Sequence, residues 1–195
     1  MAGPEPVPPS RPMYASIASP GVVQSLYQRS SFWLQCETTP ISSKAVQVMA
    51  LEIKILRRDD KHVLDEIANC VFDRPVDAAL TSEFLCDPRH HLSVGIEDGV
   101  VVGFASAVHY IHPDKPPQLW INEVGVSPSH LRKGVATRVL NALLSVGREL
   151  GCTEAWVLTS ETNAAARALY RSIGGVEAPQ IMVSFSLGRE PDLPK

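Results

Sequence analysis

From residue 50 onward, apolar and polar positions change period in a regular order. "LEIKILR" (51–57) alternates at every second residue, the pattern of a half-buried strand. "DDKHVLDEIANCVF" (59–72) opens on acids and spaces Val63, Ile67, Cys70 and Val71 as one face of a helix. "DAALTSEFLC" (77–86) predicts a second short helix, stopped at Asp87-Pro88. "HLSVGIE" and "VVVGFASAVHY" are apolar runs joined at Asp98-Gly99, which predicts a hairpin, with His90-His91 at the start of its first strand. The proline-bearing "HPDKPPQ" (112–118) reads as a loop, and "LWINEVGVS" (119–127) as the next strand. A helix then runs to Leu150, with Ala136, Val139, Leu140, Leu143, Leu144 and Leu150 on one face and Gly151 closing it. "CTEAWVLT" predicts a strand, "NAAARALYRSIG" a helix and "QIMVSFSL" (180–187) a last strand. The order β-α-α-β-β-β-α-β-α-β implies an α/β fold: a mixed sheet with helices on both sides, without internal repeats.

Residues 1–48 break this regularity. "MAGPEPVPPSRP" is proline-rich and the segment after it keeps neither period, which predicts a disordered tail ahead of a domain over 49–190. Met49 is a candidate start of that domain. Arg11 and Arg29 among serines raise a transit peptide as one reading; Glu5, Glu37 and the missing amphipathic pattern argue against it. With 45% hydrophobic residues in 195, the chain can bury one proper core. A net charge of −3 argues against a general nucleic-acid binder. No apolar run is long enough to span a bilayer, and no membrane partner is expected. Cys36, Cys70, Cys86 and Cys152 lie far apart without a CxxC pair, so no zinc site or disulfide framework is expected and a reducing cytoplasm is the default.

The chemistry concentrates in "SHLRKGVATRVL" (129–140). A strand that ends at a glycine-bearing turn and feeds a helix presents backbone N–H groups without intrahelical partners, at the positive end of the helix dipole. Gly134 removes a Cβ from this surface, Arg132 and Lys133 add charge at its rim, and Thr137 offers a hydroxyl. Many such joints bind nothing, so the stretch alone supports an ordinary loop and a phosphate cradle about equally. Neither GxGxxG nor GxxxxGK[ST] is present, which removes dinucleotide and P-loop readings.

A second motif changes the balance. "NEVGVSPSHLRKGVATRVLNALL" followed by "NAAARALYRSIGG" resembles the GCN5-related N-acetyltransferase (GNAT) family, whose pattern is V-x-P, then [R/Q]-x-x-G-x-[G/A], then N-x-x-A-x-x-L-Y-x-x-x-G-F. Val126, Pro128, Gly134 and Ala136 match the first part, and Asn163, Ala166, Leu169, Tyr170 and Gly174 the second. Leu131 and Gly175 depart from it, standing where arginine or glutamine and phenylalanine are usual. The resemblance covers roughly residues 50–187. It implies a twisted, mostly antiparallel central sheet of six to seven strands flanked by about four helices.

The resemblance also implies acetyl-CoA as donor and direct attack by a small-molecule amine. The pantetheine arm would lie along Val124, Gly125 and Val126, and the pyrophosphate on Arg132, Lys133, Gly134, Val135, Ala136 and Thr137, with Asn163 a cofactor contact that is equally a helix N-cap. Tyr170 is the candidate general acid, since a phenol of pKa near 10 suits a thiolate leaving group. Glu123, a carboxylate in an apolar strand, is the candidate general base; a salt bridge or exposed edge position explains it as well. His109, Tyr110 and His112 are minor candidates for the acceptor site. The stretch 107–144 is further similar to aminoglycoside 3-N-acetyltransferases, in which case Asp73, Asp77, Glu83 and Asp87 would supply an acidic acceptor wall, though solvated surface acids explain them too. Protein or peptide amines remain alternative acceptors, and a non-catalytic acyl-CoA-binding module is the alternative to an enzyme. A homodimer is one assembly the resemblance allows.

Overall fold

The computed structural model describes residues 50–185 and 187; the expected tail over 1–48 lies outside the described residues. The chain order is β1 (Glu52–Ile55), a 3-10 segment (Arg58–Leu64), α1 (Ala78–Cys86), β2 (His90–Glu97), β3 (Val100–His112), β4 (Lys115–Val126), a 3-10 turn (Pro128–His130), α2 (Val135–Glu149), β5 (Glu154–Val157) and α3 (Ala164–Ser172). The strands form one sheet in the order β1-β2-β3-β4-β5. The first four are antiparallel, and β5 joins β4 parallel. The α/β class and the mixed, mostly antiparallel sheet are as the periodicity implies; the strands number five among the described residues.

Three stretches fold differently from their pattern. The 59–72 stretch is a 3-10 segment, broken at Asp60, that ends at Leu64. Beyond it the backbone serves the sheet: Ala68 N–H donates to Val101 O, Val101 N–H donates to Glu66 O, and Ile67 bridges Val101. Those bonds compete with the helix, and Cys70 at φ 60° lies outside helical geometry. Of the residues that suggested a helical face, Val71 is fully covered and packs with Leu64, Leu92, Val94 and Phe104, Val63 and Ile67 are partly buried against the same cluster, and Cys70 is exposed. The "HPDKPPQ" loop is instead a tight turn at Pro113-Asp114 between two long strands. Pro116 and Pro117 are tolerated because they precede the β5 ladder, which starts at Gln118. Finally, 180–185 and Leu187 form no strand; Ile181, Val183, Phe185 and Leu187 alternate as expected but are exposed.

The sheet separates two apolar layers. One face carries Leu92, Val94, Val101 and Phe104 against the 3-10 segment and α1. The other carries Ala105, Ala107, Leu119 and Ile121 against Val139, Leu140 and Leu143 of α2, with Leu169, Tyr170 and Ile173 of α3 at the margin. The first turn of α2 lies close to the strands. A Cβ at Gly103 would stand 2.6 Å from Val135 Cγ1 and 3.0 Å from Gly125 O, and one at Gly95 would stand 3.1 Å from Val135 Cγ1. The two glycines make a slot, and Val135, only 2% exposed, fills it. Cys70 is disulfide-bonded, a pairing that wide spacing did not announce, whereas Cys86 and Cys152 are free. No helix among the described residues is long and apolar enough to cross a membrane.

His91 is a buried histidine whose Nε2 lies 2.8 Å from His109 Nδ1. Burial, then the charges of His109, Arg57 and His90, push its pKa down to about 4.

Two expectations follow from this packing. Gly103→Ala forces Val135 and the start of α2 off the sheet and lowers unfolding free energy by about 1–3 kcal/mol in urea titrations. The folded His91 ring stays neutral to about pH 4, while an unfolded one protonates near pH ~6.5, so the unfolded chain binds more protons between these values. The stabilising contribution is full above that window and is lost as pH falls through it, by at most about 3 kcal/mol. Urea titrations across the window show this slope, and His91→Gln flattens it.

Candidate active site at the end of β4

The site begins where β5 leaves β4. Their ladder pairs Gln118 with Glu154, Leu119 with Ala155, Trp120 with Trp156 and Ile121 with Val157, and goes no further. Polar and aromatic contacts hold the paired end. The Trp120 and Trp156 rings stack at 5.4 Å. Trp156 Nε1–H donates to the Tyr110 hydroxyl (3.2 Å), Tyr110 donates to Gln118 Oε1, and Gln118 Nε2 donates to Glu154 Oε2 (2.8 Å). Past Ile121, β4 continues on β3 alone, with Glu123 opposite Ser106, Val124 opposite Ala105, Gly125 opposite Phe104 and Val126 opposite Gly103.

A bulge at Asn122 resets which side chains face which layer. Glu123 shares the face of its partner Ser106, on the side of the 3-10 segment and α1, and is half-buried. Val124 falls on the opposite face with the α2 layer, where Tyr170 also packs. The two candidate catalytic groups thus flank β4 from opposite sides of the sheet. Gly125 lies beneath the backbone of Val71: a Cβ there would stand 2.2 Å from Val71 O. This close crossing explains why the strand carries a glycine at that point.

Beyond Val126 the chain turns into the cradle. Ser127 N–H donates to Val102 O and His130 N–H to Ser127 O. Leu131 is extended (φ −61°, ψ 145°) and 41% exposed, with its N–H bent back to Pro128 O at 3.4 Å. Arg132 then adopts φ 60° and Gly134 φ 81°. Gly134 is the N-cap of α2, and no side chain caps this terminus. The leading N–H groups of α2, from Val135, Ala136 and Thr137, are therefore left for another acceptor. A Cβ at Gly134 would meet nothing within 4 Å, so this backbone is open to close approach. Uncapped donors, the helix dipole, and Arg132 and Lys133 at the rim suit a pyrophosphate. Leu131, 41% exposed, adds no polar side chain to this turn.

Helix α3 carries the second motif. Asn163 is its N-cap, with Oδ1 accepting from Ala166 N–H at 3.1 Å. At the other end, Gly174 N–H donates to Arg171 O and Gly175 N–H to Tyr170 O (2.9 Å), a Schellman closure. A Cβ at position 175 would stand 2.9 Å from Tyr170 O. Glycine at the position where phenylalanine is usual therefore belongs to the turn that fixes Tyr170.

The minor acceptor candidates lie elsewhere. His109 is opposite Leu119, Tyr110 opposite Gln118 and His112 opposite Lys115, toward the other end of the β3–β4 ribbon. At ~3.3 Å per residue even His109 is about 13 Å along the strand from Glu123. His109 and Tyr110 instead line a cavity of about 350 Å³ with Asp87, Arg89 and His90. Two of the four acids expected as an acceptor wall are engaged. Asp77 caps α1 through Ala79 and Leu80 N–H. Asp87 holds Arg89 at 2.7 and 3.0 Å, and that guanidinium keeps its carboxyl well below the usual range. The resemblance implied Asp73, Asp77, Glu83 and Asp87 as an acidic wall; capping and local ion pairing use Asp77 and Asp87.

Residues 59–174 match the acetyltransferase (GNAT) family. Among individual proteins, the aminoglycoside N(6')-acetyltransferase type 1 of Salmonella typhimurium (strain LT2) is 28% identical over 93 residues, 46% of this chain and 64% of that protein. The L-2,4-diaminobutyric acid acetyltransferase of Marinococcus halophilus is 34% identical over 93 residues, 47% of this chain and 52% of that one. The chain thus spans between about half and under two thirds of the relatives it matches. Among solved structures, the aminoglycoside acetyltransferase meta-AAC0020 from an uncultured soil metagenomic sample, in complex with sisomicin, superimposes with a TM-score of 0.60 at 18% identity, covering 71% of this chain and 97% of that one. AAC(6')-Iy in complex with the bisubstrate analog CoA-S-monomethyl-acetylneamine gives 0.60 at 22%, covering 70% and 98%. Identities this low show a shared fold. The aminoglycoside relatives found by sequence are N(6')-acetyltransferases, a different regiochemistry from the 3-N class that the sequence resembled.

Arg132 separates strain from charge. Arg132→Gly relieves the left-handed backbone and leaves stability unchanged or raised by up to about 1 kcal/mol. The same change removes a rim cation and weakens CoA binding by roughly threefold to tenfold. Thermal melts and calorimetric titration with CoA read the two effects with opposite signs.

Proposed function

The chain belongs to the GNAT family of acetyltransferases, and on that premise we propose that it moves an acetyl group from acetyl-CoA to the primary amine of a small polycationic acceptor. The observation that carries this reading is the end of the β4–β5 ladder at Ile121–Val157. Past it the 122–126 segment pairs with β3 alone and runs, through the 3-10 turn at Pro128–His130, into the uncapped terminus of α2. A pantetheine arm along Val124 to Val126 and a pyrophosphate on 132–137 fit that path. The acceptor class rests on relatives named for aminoglycosides and for diaminobutyric acid, both of which carry more than one amine.

The reaction is a direct displacement. The neutral amine nitrogen attacks the thioester carbon; a C–N bond forms and the C–S bond breaks. Glu123, directly or through a water, takes the proton the nitrogen loses, and Tyr170 gives one to the departing thiolate. Backbone N–H near Val126 stabilises the carbonyl oxygen as it gains charge. Their positions on opposite faces of β4 suit these roles, because the base serves the incoming nitrogen and the acid the departing sulfur, two different substituents of the tetrahedral carbon. A cytoplasmic setting supplies acetyl-CoA, and the free thiols of Cys86 and Cys152 are compatible with it, whereas the disulfide at Cys70 is not what a reducing compartment favours.

Thiol release from acetyl-CoA, followed with aminoglycosides, diamino acids, polyamines and peptide amines, tests the proposal. Small polycationic amines raise the rate; Tyr170→Phe lowers kcat by roughly 10–100-fold, and Glu123→Gln lowers it and removes the acidic limb of the pH profile. If acetyl-CoA binds but no amine raises release and Tyr170→Phe changes nothing, the protein is a non-catalytic acyl-CoA-binding module instead. Preference for peptide amines would reassign the acceptor alone.

A further inference from the structure

The cradle departs from its family at Leu131, which brings no polar side chain to the mouth. One residue earlier, His130 makes two side-chain bonds. Its Nε2 lies 2.7 Å from Glu97 Oε2 and its Nδ1 lies 2.9 Å from Ser129 Oγ. Ser129 Oγ is in turn 3.1 Å from Ser127 Oγ. An ionised carboxylate only accepts, so Nε2 must carry a proton. In the neutral ring Nδ1 is then the acceptor, Ser129 donates to it, and Ser127 donates to Ser129. The chain of bonds runs in one direction, from the buried Ser127 to Glu97 at the end of β2. The His130 side chain is only 15% exposed.

We infer that His130, held by Glu97, is the positioning residue that preorganises the 131–136 loop for the CoA pyrophosphate, in place of the polar side chain missing at Leu131. This rests on the reading of that loop as the pyrophosphate site. The loop holds two positive-φ residues, Arg132 at φ 60° and Gly134 at φ 81°, on either side of Lys133. Its downstream end is fixed by Val135 in the glycine slot and by Arg138, whose Nη2 donates to Leu51 O at 2.6 Å. Its upstream end is a one-turn 3-10 segment of three residues, closed by the bonds from His130 and Leu131. The imidazole is the side-chain link from that turn to another part of the fold, the Asp98-Gly99 hairpin. Fixing both ends reduces the ordering cost that binding would otherwise meet. A bond between a carboxylate and a ring N–H is also among the stronger kinds available to a half-exposed pair.

The full-length chain is titrated with acetyl-CoA, and amide hydrogen exchange of the 129–137 peptide is recorded alongside the urea midpoint. His130→Ala and Glu97→Ala each weaken acetyl-CoA binding by roughly tenfold and speed exchange in that peptide. Glu97→Gln, which keeps an acceptor for Nε2–H, stays near wild type in both. The double variant His130→Ala/Glu97→Ala is no weaker than either single change, because the two act as one unit. Should His130→Ala fail to fold, Ser129→Ala removes the link between Ser127 and His130 without emptying the site and is expected to weaken binding by roughly threefold. Folded His130→Ala or Glu97→Ala variants that bind within about twofold of wild type, or that bind weakly with unchanged exchange, overturn the inference while the pyrophosphate reading stands. A wild-type chain that does not bind acetyl-CoA overturns both.

Discussion

The closeness of α2 to the sheet governs the whole arrangement. Val135 sits in a slot that exists because positions 95 and 103 carry no side chain, and the contact is tight enough that a single Cβ would have to displace it. With that contact in place, the uncapped N-terminus of α2 follows the end of β4 through the 3-10 turn and lies against the strands that carry Gly95 and Gly103. Glycine in strands weakens them, and here the lost side-chain packing is offset by the fully buried Val139, Leu140 and Leu143 one and two turns on.

The second constraint is the short reach of β5. Four residues pair with β4, and they are the four nearest the Tyr110–Gln118–Glu154–Trp156 contacts and the Trp120–Trp156 stack. These side-chain contacts lie at the paired end, and the ladder stops after Ile121. The Asn122 bulge falls at the same level and turns Glu123 to one face and Val124 to the other. A parallel ladder that stops at Ile121, followed along the chain by a turn into an uncapped helix, is the geometry on which the acetyl-transfer reading depends.

Much of this was legible in the chain. The strand alternation of 51–57 and 91–97, the Asp98-Gly99 turn and the apolar stripe of α2 reflect local periods that the tertiary structure had no reason to override. The two motif halves marked Gly134, Asn163 and Tyr170, and each occupies a defined structural position: an open N-cap, a side-chain N-cap and the last turn of a closed helix. The failures have a common cause. In 59–72 the helical spacing was real, but Glu66 and Ala68 give their backbone groups to β3, and spacing carries no record of that competition. In 112–118 the prolines read as a loop because their harm to a strand depends on whether a neighbour needs their N–H, which is a question of register.

The sequence by itself determined the fold class, the family and the chemical character of the cradle, because these depend on residue type and local period. It could not determine that Glu123 and Tyr170 lie on opposite faces of β4, that Asp77 and Asp87 are engaged locally, or that Ser127, Ser129 and His130 line up toward Glu97. Those facts depend on a bulge, a cap and a contact between residues thirty-three apart in the chain. A one-residue shift in strand register exchanges the two faces without altering composition or motif, so only the folded structure decides them.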